Sequence, residues 1–378
     1  MFIRDPYRFS DAMLIIPPVL VACLECFDGV RTDLDLRAAL VRVTNNLEVG
    51  DLERHLVTTL STAGFLEDEQ FSRMERERRE DFTRQPVRVP AHAGAAYPAE
   101  AQEARATLTR YMTAAPAPDG RVLGIAAPHV SPEGGWHSYA AAFGALRPED
   151  RDRTFVIVAT SHYGTPERFG LTRKNFQTPL GEAVTNTALV DQLASDAGDS
   201  VQMEDFCFSF EHTVEFQVLF LQHVIGPAVR ILPILCGPFA RSLSPRGYPE
   251  NDGQVSRFLG ALGELNAREG ANLCWVLGVD MAHMGARYGD RFQARADEGE
   301  MAAVAVRDRD RIERINAGDA AGFWDRVREN RDDLKWCGSS PFYTFLKAVP
   351  EARGRLLHYE QWNIDEQSVV SFAGMSFR

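Results

Sequence analysis

Three short apolar runs rich in β-branched residues each end in a histidine. Leu123 to Ala127 (LGIAA) leads into Pro128-His129, Thr154 to Thr160 (TFVIVAT) into Ser161-His162, and Leu273 to Val279 (LCWVLGV) into Asp280-Met281-Ala282-His283. Their length and composition are those of buried parallel strands. Another such run is Arg230 to Cys236, and the stretch around Thr178-Pro179-Leu180-Gly181 reads as strand, turn, strand. Amphipathic segments alternate with these runs. Helices are expected over 99–112, from Ser138 onward after a tight loop at Gly134-Gly135, over 187–195 behind an Asn186 cap, and across 206–225. Further helices are expected at Val255–Leu265, Asp297–Ile315, Gly318–Asn330 and Tyr343–Val349, with two strands closing the chain. This alternation predicts an α/β fold with a central, mainly parallel or mixed sheet and flanking helices. The carboxyl ends of parallel strands line one edge of such a sheet, where ligand crevices form. His129, His162 and His283 are therefore expected to converge.

Residues 1–85 have a different pattern and are assigned to a small helical domain and linker, leaving 86–378 as the α/β domain. Pro17-Pro18 opens the apolar segment VLVACLECF, Thr32 and Asp33 can cap DLRAALVRV, and Val49 to Gly64 form a third periodic run. Three short helices with a candidate terminal β-hairpin resemble winged-helix or PqqD-like accessory domains. The mixed-charge stretch 67–88 reads as a solvated helix or linker, with the boundary near residues 80–88.

Composition narrows the function classes. Hydrophobic content of 45% and charged content of 25% are ordinary for a globular chain, while a formal net charge of -12 argues against electrostatic binding of nucleic acid. No apolar run approaches a membrane span, and Pro17-Pro18 breaks the short apolar patch at the N-terminus, so neither a membrane partner nor a signal peptide is read. The six cysteines are scattered through mostly apolar runs, which suits reduced thiols in a cytoplasmic protein. Cys23-x-x-Cys26 has no second ligand pair and no βαβ context, so core packing is expected there. Neither a Walker A motif nor GxGxxG is present.

His212 and Glu215 stand at i,i+3 within 206–225, a spacing that places both on one helix face. A metal-binding or acid/base pair would need that arrangement, and ordinary buried hydrogen bonding would produce it too. Cys337 differs from the other cysteines in its polar setting, Gly338-Ser339-Ser340.

Several stretches occur in an order that resembles one family. They are AHAGAAYP at 91–98, APH at 127–129, SHYG at 161–164, TPLGE at 178–182, EHTVEFQVLFLQ at 211–222, GVDMAH at 278–283, and Cys337-Gly338 with Pro341 behind it. Together they make residues 88–378 resemble the Memo family, in its AmmeMemoRadiSam system protein B type. The resemblance implies a fold similar to class III extradiol dioxygenases and a metal-ligand-like trio at His129, His162 and Cys337, with Asp280 and His283 beside it. It also implies that a helical N-terminal extension is at home in bacterial members, and that a radical SAM protein and an AMMECR-type protein are candidate partners. One stretch departs from the family. After His129 the chain reads VSPEGGWHSY, which makes Glu133, Trp136 and His137 new candidates for the rim of the site.

Two imidazoles and a thiolate would leave a coordination position open, as catalytic sites require. The thiolate softens the set toward Cu(I) or zinc, while the dioxygenase likeness points to iron. The cofactor expected is thus a transition metal ion, iron or copper ahead of zinc. Asp280 would be a ligand or would orient His283, the natural general acid or base. His92, His212, Glu215, Trp136 and Tyr163 are expected in supporting or substrate-binding positions. The function expected is a redox or oxygenase-type metalloenzyme acting on a small molecule or peptide. A non-catalytic ligand-binding protein using the same cleft, or a zinc-dependent hydrolase, are the competing readings.

Overall fold

The computed structural model describes residues 1–244 and 247–378. They form two compact units, Met1–Gln85 and Pro86–Arg378. The first opens with an antiparallel pair, β1 (Phe2–Arg4) and β2 (Met13–Ile15), followed by α1 (Asp33–Thr44), α2 (Gly50–Thr62) and α3 (Glu69–Arg84). The segment after Pro17 is a 3₁₀ run, Pro18–Cys26, where an α-helix was expected. Thr32 caps α1, its backbone N–H and hydroxyl both donating to Asp35. Leu36, Leu40, Leu56 and Leu60 close on Leu20 and Cys23 as this unit's core, so Cys23 is a packing residue. Helix α3 buries only Phe82 along its length, as its mixed-charge sequence requires.

The second unit contains β3 (Val87–Arg88), α4 (Ala101–Met112), β4 (Gly124–Ala127), α5 (Pro132–Phe143), β5 (Thr154–Thr160), β6 (Phe169–Leu171), β7 (Asn175–Thr178) and β8 (Gly181–Thr185). It continues with α6 (Thr187–Ala197), β9 (Val201–Met203), α7 (Thr213–Val224), β10 (Arg230–Cys236), α8 (Gly253–Glu269), β11 (Leu273–Gly278) and β12 (His283–Gly285). The chain ends in α9 (Glu300–Asn316), α10 (Ala320–Arg328), α11 (Ser339–Ala348), β13 (Gly354–Asp365) and β14 (Ser368–Phe377). The fold is α/β, with one mixed sheet in the order β12-β14-β4-β11-β5-β10-β8-β7-β3 and β13, β6 and β9 attached to its members. Strands β4, β11, β5 and β10 run parallel at its centre. Every residue of β4, β5 and β11 is buried, which is why these strands read as unbroken apolar runs. No helix among the described residues is long and apolar enough to cross a membrane.

Two expectations for helices need correction. The run 206–225 is not one helix: Phe206–Ser209 is a 3₁₀ turn and α7 starts at Thr213, which leaves His212 at the N-cap. Gly134-Gly135 are not a loop but lie inside α5. A Cβ on Gly134 would sit 2.6 Å from the Trp362 ring, and one on Gly135 would sit 2.7 Å from Val130. Both glycines therefore serve close packing of the helix against β13 and against the chain beside His129.

Gly134→Ala tests this packing. Alanine gains about 1 kcal/mol of helix propensity, but overpacking costs about 1–3 kcal/mol. We expect a net loss near 1 kcal/mol, with a shift in the emission of Trp362. All five tryptophans belong to the second unit, so urea unfolding followed by their fluorescence reads it directly.

Candidate metal centre

Parallel register determines which side chains meet. Gly278, the last residue of β11, pairs with Ala127 of β4 and Ala159 of β5, and Cys236 of β10 pairs with Thr160. His129, Asp280 and His162 follow within two or three residues of these positions, so all three emerge at one edge. The loops are then tied together. The Thr213 hydroxyl donates to the Thr160 carbonyl at 2.7 Å, Gln217 to the Pro128 carbonyl at 2.8 Å, and Thr160 to the Cys337 carbonyl at 3.0 Å.

The rings of His129 and His162 lie 4.9 Å apart, and that of His212 is 5.3 Å and 5.1 Å from the two. Ligand nitrogens of all three fall within 4.8 Å of one another. Cys337 Sγ is 3.3 Å from His129 Nε2. The far side of each ring is anchored. His129 Nδ1 donates to the Gly278 carbonyl at 3.0 Å, and His162 Nδ1 lies 3.1 Å and 3.2 Å from the two Glu211 oxygens. Fixing Nδ1 by a carbonyl or carboxylate selects the tautomer that presents Nε2, the usual arrangement behind a metal-binding imidazole. Asp280 accepts the His129 backbone N–H at 2.9 Å and places its other oxygen 3.5 Å from Nε2 of the same ring.

Glu211 had no role in the sequence expectations. Its buried carboxylate accepts the backbone N–H of both His162 and His212, at 2.9 Å and 3.0 Å, besides the His162 ring. Burial opposes its charge, yet His162 and His212 hold it well below the usual carboxylate range. Two acids, Glu211 and Glu215, in the otherwise apolar stretch FCFSFEHTVEF, with no lysine or arginine within a helical turn of either, were the available signal.

The charges around the cleft are coupled. Burial works against protonated His129, but Asp280 and Cys337 outweigh it and raise the imidazole to about 9. His162 is likewise raised well above its ordinary value against burial, by Glu211 and Cys337. Burial also opposes the Cys337 thiolate, but His129 and His283, with hydrogen bonds from His129 and His162, hold the thiol well below its usual range. His212 goes the other way: burial dominates and takes it to about 4, leaving a neutral ring. The shifts favour negative charge on the sulfur and positive charge, as protons, on the two rings beside it. A cation of intermediate softness replaces such protons naturally, so the donor set fits a transition metal.

The remaining candidates have mixed positions. His283 is not one of the three grouped imidazoles, although its charge acts on Cys337; its Nδ1 faces the carbonyls of Met281 and Lys335 at 2.9 Å and 3.1 Å. His92 bonds the Phe210 carbonyl through Nε2 at 2.8 Å and lies 5.6 Å from the His212 ring. Tyr163 is partly exposed, 6.4 Å from the His162 ring. Glu215 does not pair with His212. It forms a fully buried ion pair with Arg88 and accepts the Tyr97 hydroxyl and the backbone N–H groups of Ala91 and His92. The departure after His129 also leads elsewhere, because Trp136 stacks on Tyr111 and His137 on the outer side of α5. Beside His162 and Cys337 opens a cavity of about 220 Å³ lined by Phe239, Trp324, Trp336 and Ser340.

An α/β unit with imidazoles and a thiol gathered at the carboxyl edge of its sheet is compatible with a bound transition metal. The chain belongs to the Memo-like protein family, whose model matches residues 88–376. A MEMO1 family protein of Aquifex aeolicus is 24% identical over 99% of this chain and 95% of its own length, so that likeness extends through the N-terminal unit. Proteins of the same description from Thermococcus kodakarensis and Thermus thermophilus are each 28% identical, over 77% and 80% of this chain and 99% and 85% of their own.

Proposed function

We propose that His129 Nε2, His162 Nε2 and Cys337 Sγ hold one transition metal ion, iron or copper ahead of zinc, in a redox enzyme with a dioxygenase-like cleft. The observation that carries this reading is the anchoring of both Nδ1 atoms, by Gly278 and by Glu211, with the thiol at 3.3 Å from the first Nε2. A bound ion of this kind supplies electron transfer or Lewis-acid polarisation at its open position. The chain's own groups do the rest. Asp280 orients the His129 loop and keeps a negative charge next to the donors. His283, with Nδ1 turned to carbonyls, keeps Nε2 for taking or giving a substrate proton. The apolar walls of the adjacent cavity, Phe239 and Trp336, exclude water and suit a small molecule or an apolar peptide side chain.

Elemental analysis of protein purified without added metal tests the reading. Close to one equivalent of iron or copper supports it, zinc alone transfers the site to hydrolysis, and a metal-free protein that takes up none of the three overturns it.

Binding should also depend steeply on pH. His129, raised to about 9, carries a proton at neutral pH that the ion must displace, whereas the low thiol does not compete. Affinity should therefore rise with pH, about tenfold per unit for each imidazole that must deprotonate, with the His129 part of the rise levelling off above about 9. Titrations with a competing chelator at several pH values would show it; affinity that falls as pH rises from 6.5 to 8.5 would contradict the coupling.

A further inference from the structure

Helix α5 and strand β13 hold a second donor group that shares no residue with the first. His137, His358 and Glu360 each place a ligand atom within 4.8 Å of the other two. His358 Nε2 is 3.2 Å and His137 Nδ1 3.7 Å from the same oxygen, Oε2 of Glu360. The rings are 5.7 Å apart.

The arrangement follows from the packing of the two elements. Side chains alternate along a strand, so His358, Glu360 and Trp362 share one face of β13. The opposite face is fixed inward, with Tyr359 bonded to Asp308 at 2.8 Å and Gln361 to the Met301 carbonyl at 2.9 Å. On α5, residues three apart share a face, which puts His137 in line with Gly134. Because Gly134 lacks a side chain, the Trp362 ring lies flush against the helix there. One helical turn along α5 then brings His137 level with Glu360 and His358. Trp136 stacks on the His137 ring at 3.5 Å and restricts its rotation. The donors are half-exposed, with side-chain accessibilities of 46%, 39% and 26% for His137, His358 and Glu360, so an ion can enter from solvent.

We propose that His137, His358 and Glu360 form a second metal site, for a divalent first-row cation such as zinc, clamping α5 to β13. Two imidazoles and a carboxylate without a thiolate suit zinc and its neighbours. Donors bonded to zinc at about 2.0–2.1 Å in a tetrahedral site stand about 3.3 Å apart, which the separations of 3.2 Å and 3.7 Å bracket. The site is independent of the cleft at Cys337, shares no ligand with it, and leaves a coordination position to water.

The test is zinc titration of the chelator-treated full chain against a competing dye. We expect one equivalent to weaken by about tenfold or more in His137→Ala and in His358→Ala, since even indirect support of a metal ligand is worth that much. Glu360→Gln should weaken the same equivalent. These half-exposed positions carry little of the core, and far-ultraviolet circular dichroism, which the loss of the Trp136–His137 stack does not dominate, verifies the fold of each variant. The combined His129→Ala, Cys337→Ser variant should keep this equivalent whatever becomes of the cleft, so failure of either site is distinguishable. Zinc stoichiometry and affinity unchanged by both His137→Ala and His358→Ala would overturn the proposal, as would no zinc bound in the His129→Ala, Cys337→Ser protein.

Discussion

Cys337→Ser and His129→Ala should each leave the purified protein with less than about a tenth of the iron or copper that the unaltered chain retains. Loss of a group that merely supports a ligand costs 10–100-fold in affinity, and these two residues are the donors themselves in the proposed site. Serine at 337 removes the soft donor while keeping shape and a hydrogen-bonding atom. The two substitutions should also differ. His129→Ala removes the ring that lowers the thiol, so Cys337 should become a weaker nucleophile. Cys337→Ser removes a partner that raises the imidazole, so His129 should titrate lower. Metal content measured beside thiol reactivity over a pH series covers both halves. Full metal loading in Cys337→Ser would reassign the donors to the three imidazoles at 129, 162 and 212, and full loading in His129→Ala would remove His129 from the donor set.

Arg88→Ala should destabilise the second unit by about 3–5 kcal/mol. Arg88 and Glu215 have side-chain exposures of 1% each and are paired directly. Arg88 also donates to the carbonyls of Phe208 and Glu211, at 2.8 Å and 2.9 Å. Removing one member of a buried pair leaves an uncompensated charge, at a cost of about 3–5 kcal/mol. Burial opposes the Glu215 carboxylate, and Arg88 is foremost among the groups holding it below its usual range. Without Arg88 it should rise, so the variant should recover part of its loss as pH falls and the carboxyl takes up a proton. Urea unfolding at two pH values, followed by tryptophan emission, gives both results. A loss under 1 kcal/mol would mean that water reaches Glu215 in the variant.

The meeting of His129 and His162 was legible in the sequence because fully buried parallel strands are visible as unbroken apolar runs, and their ends must share an edge; the third imidazole grouped with them is His212, where His283 was expected. Cys337 came only through the resemblance. It precedes a helix rather than ending a strand, and periodicity says nothing about which loops fold back over that edge. Glu211 was missed because a buried charge looks like an exposed one until its partners are known. His212 and Glu215 were read as a pair since 206–225 has no break in apolar character; the helix starts at Thr213, and the two residues turn to different partners. Gly134-Gly135 gave the signal of a turn, whereas the tertiary demand of the Trp362 ring puts them in a helix. Local preference yields wherever two elements must touch.

The double grip of Glu211 means that His162 and His212 do not move independently. One carboxylate spans a loop after β5 and the first residue before α7, through main-chain and ring bonds alike. Anything that tilts the His162 ring, whether an ion or a substrate, pulls on the carboxylate and thereby on the start of α7. Displacement at the cleft would thus reach the start of α7, and a Glu211→Gln chain, with one acceptor oxygen where the two backbone N–H groups now bond different oxygens, should lose one of those bonds and the linkage with it.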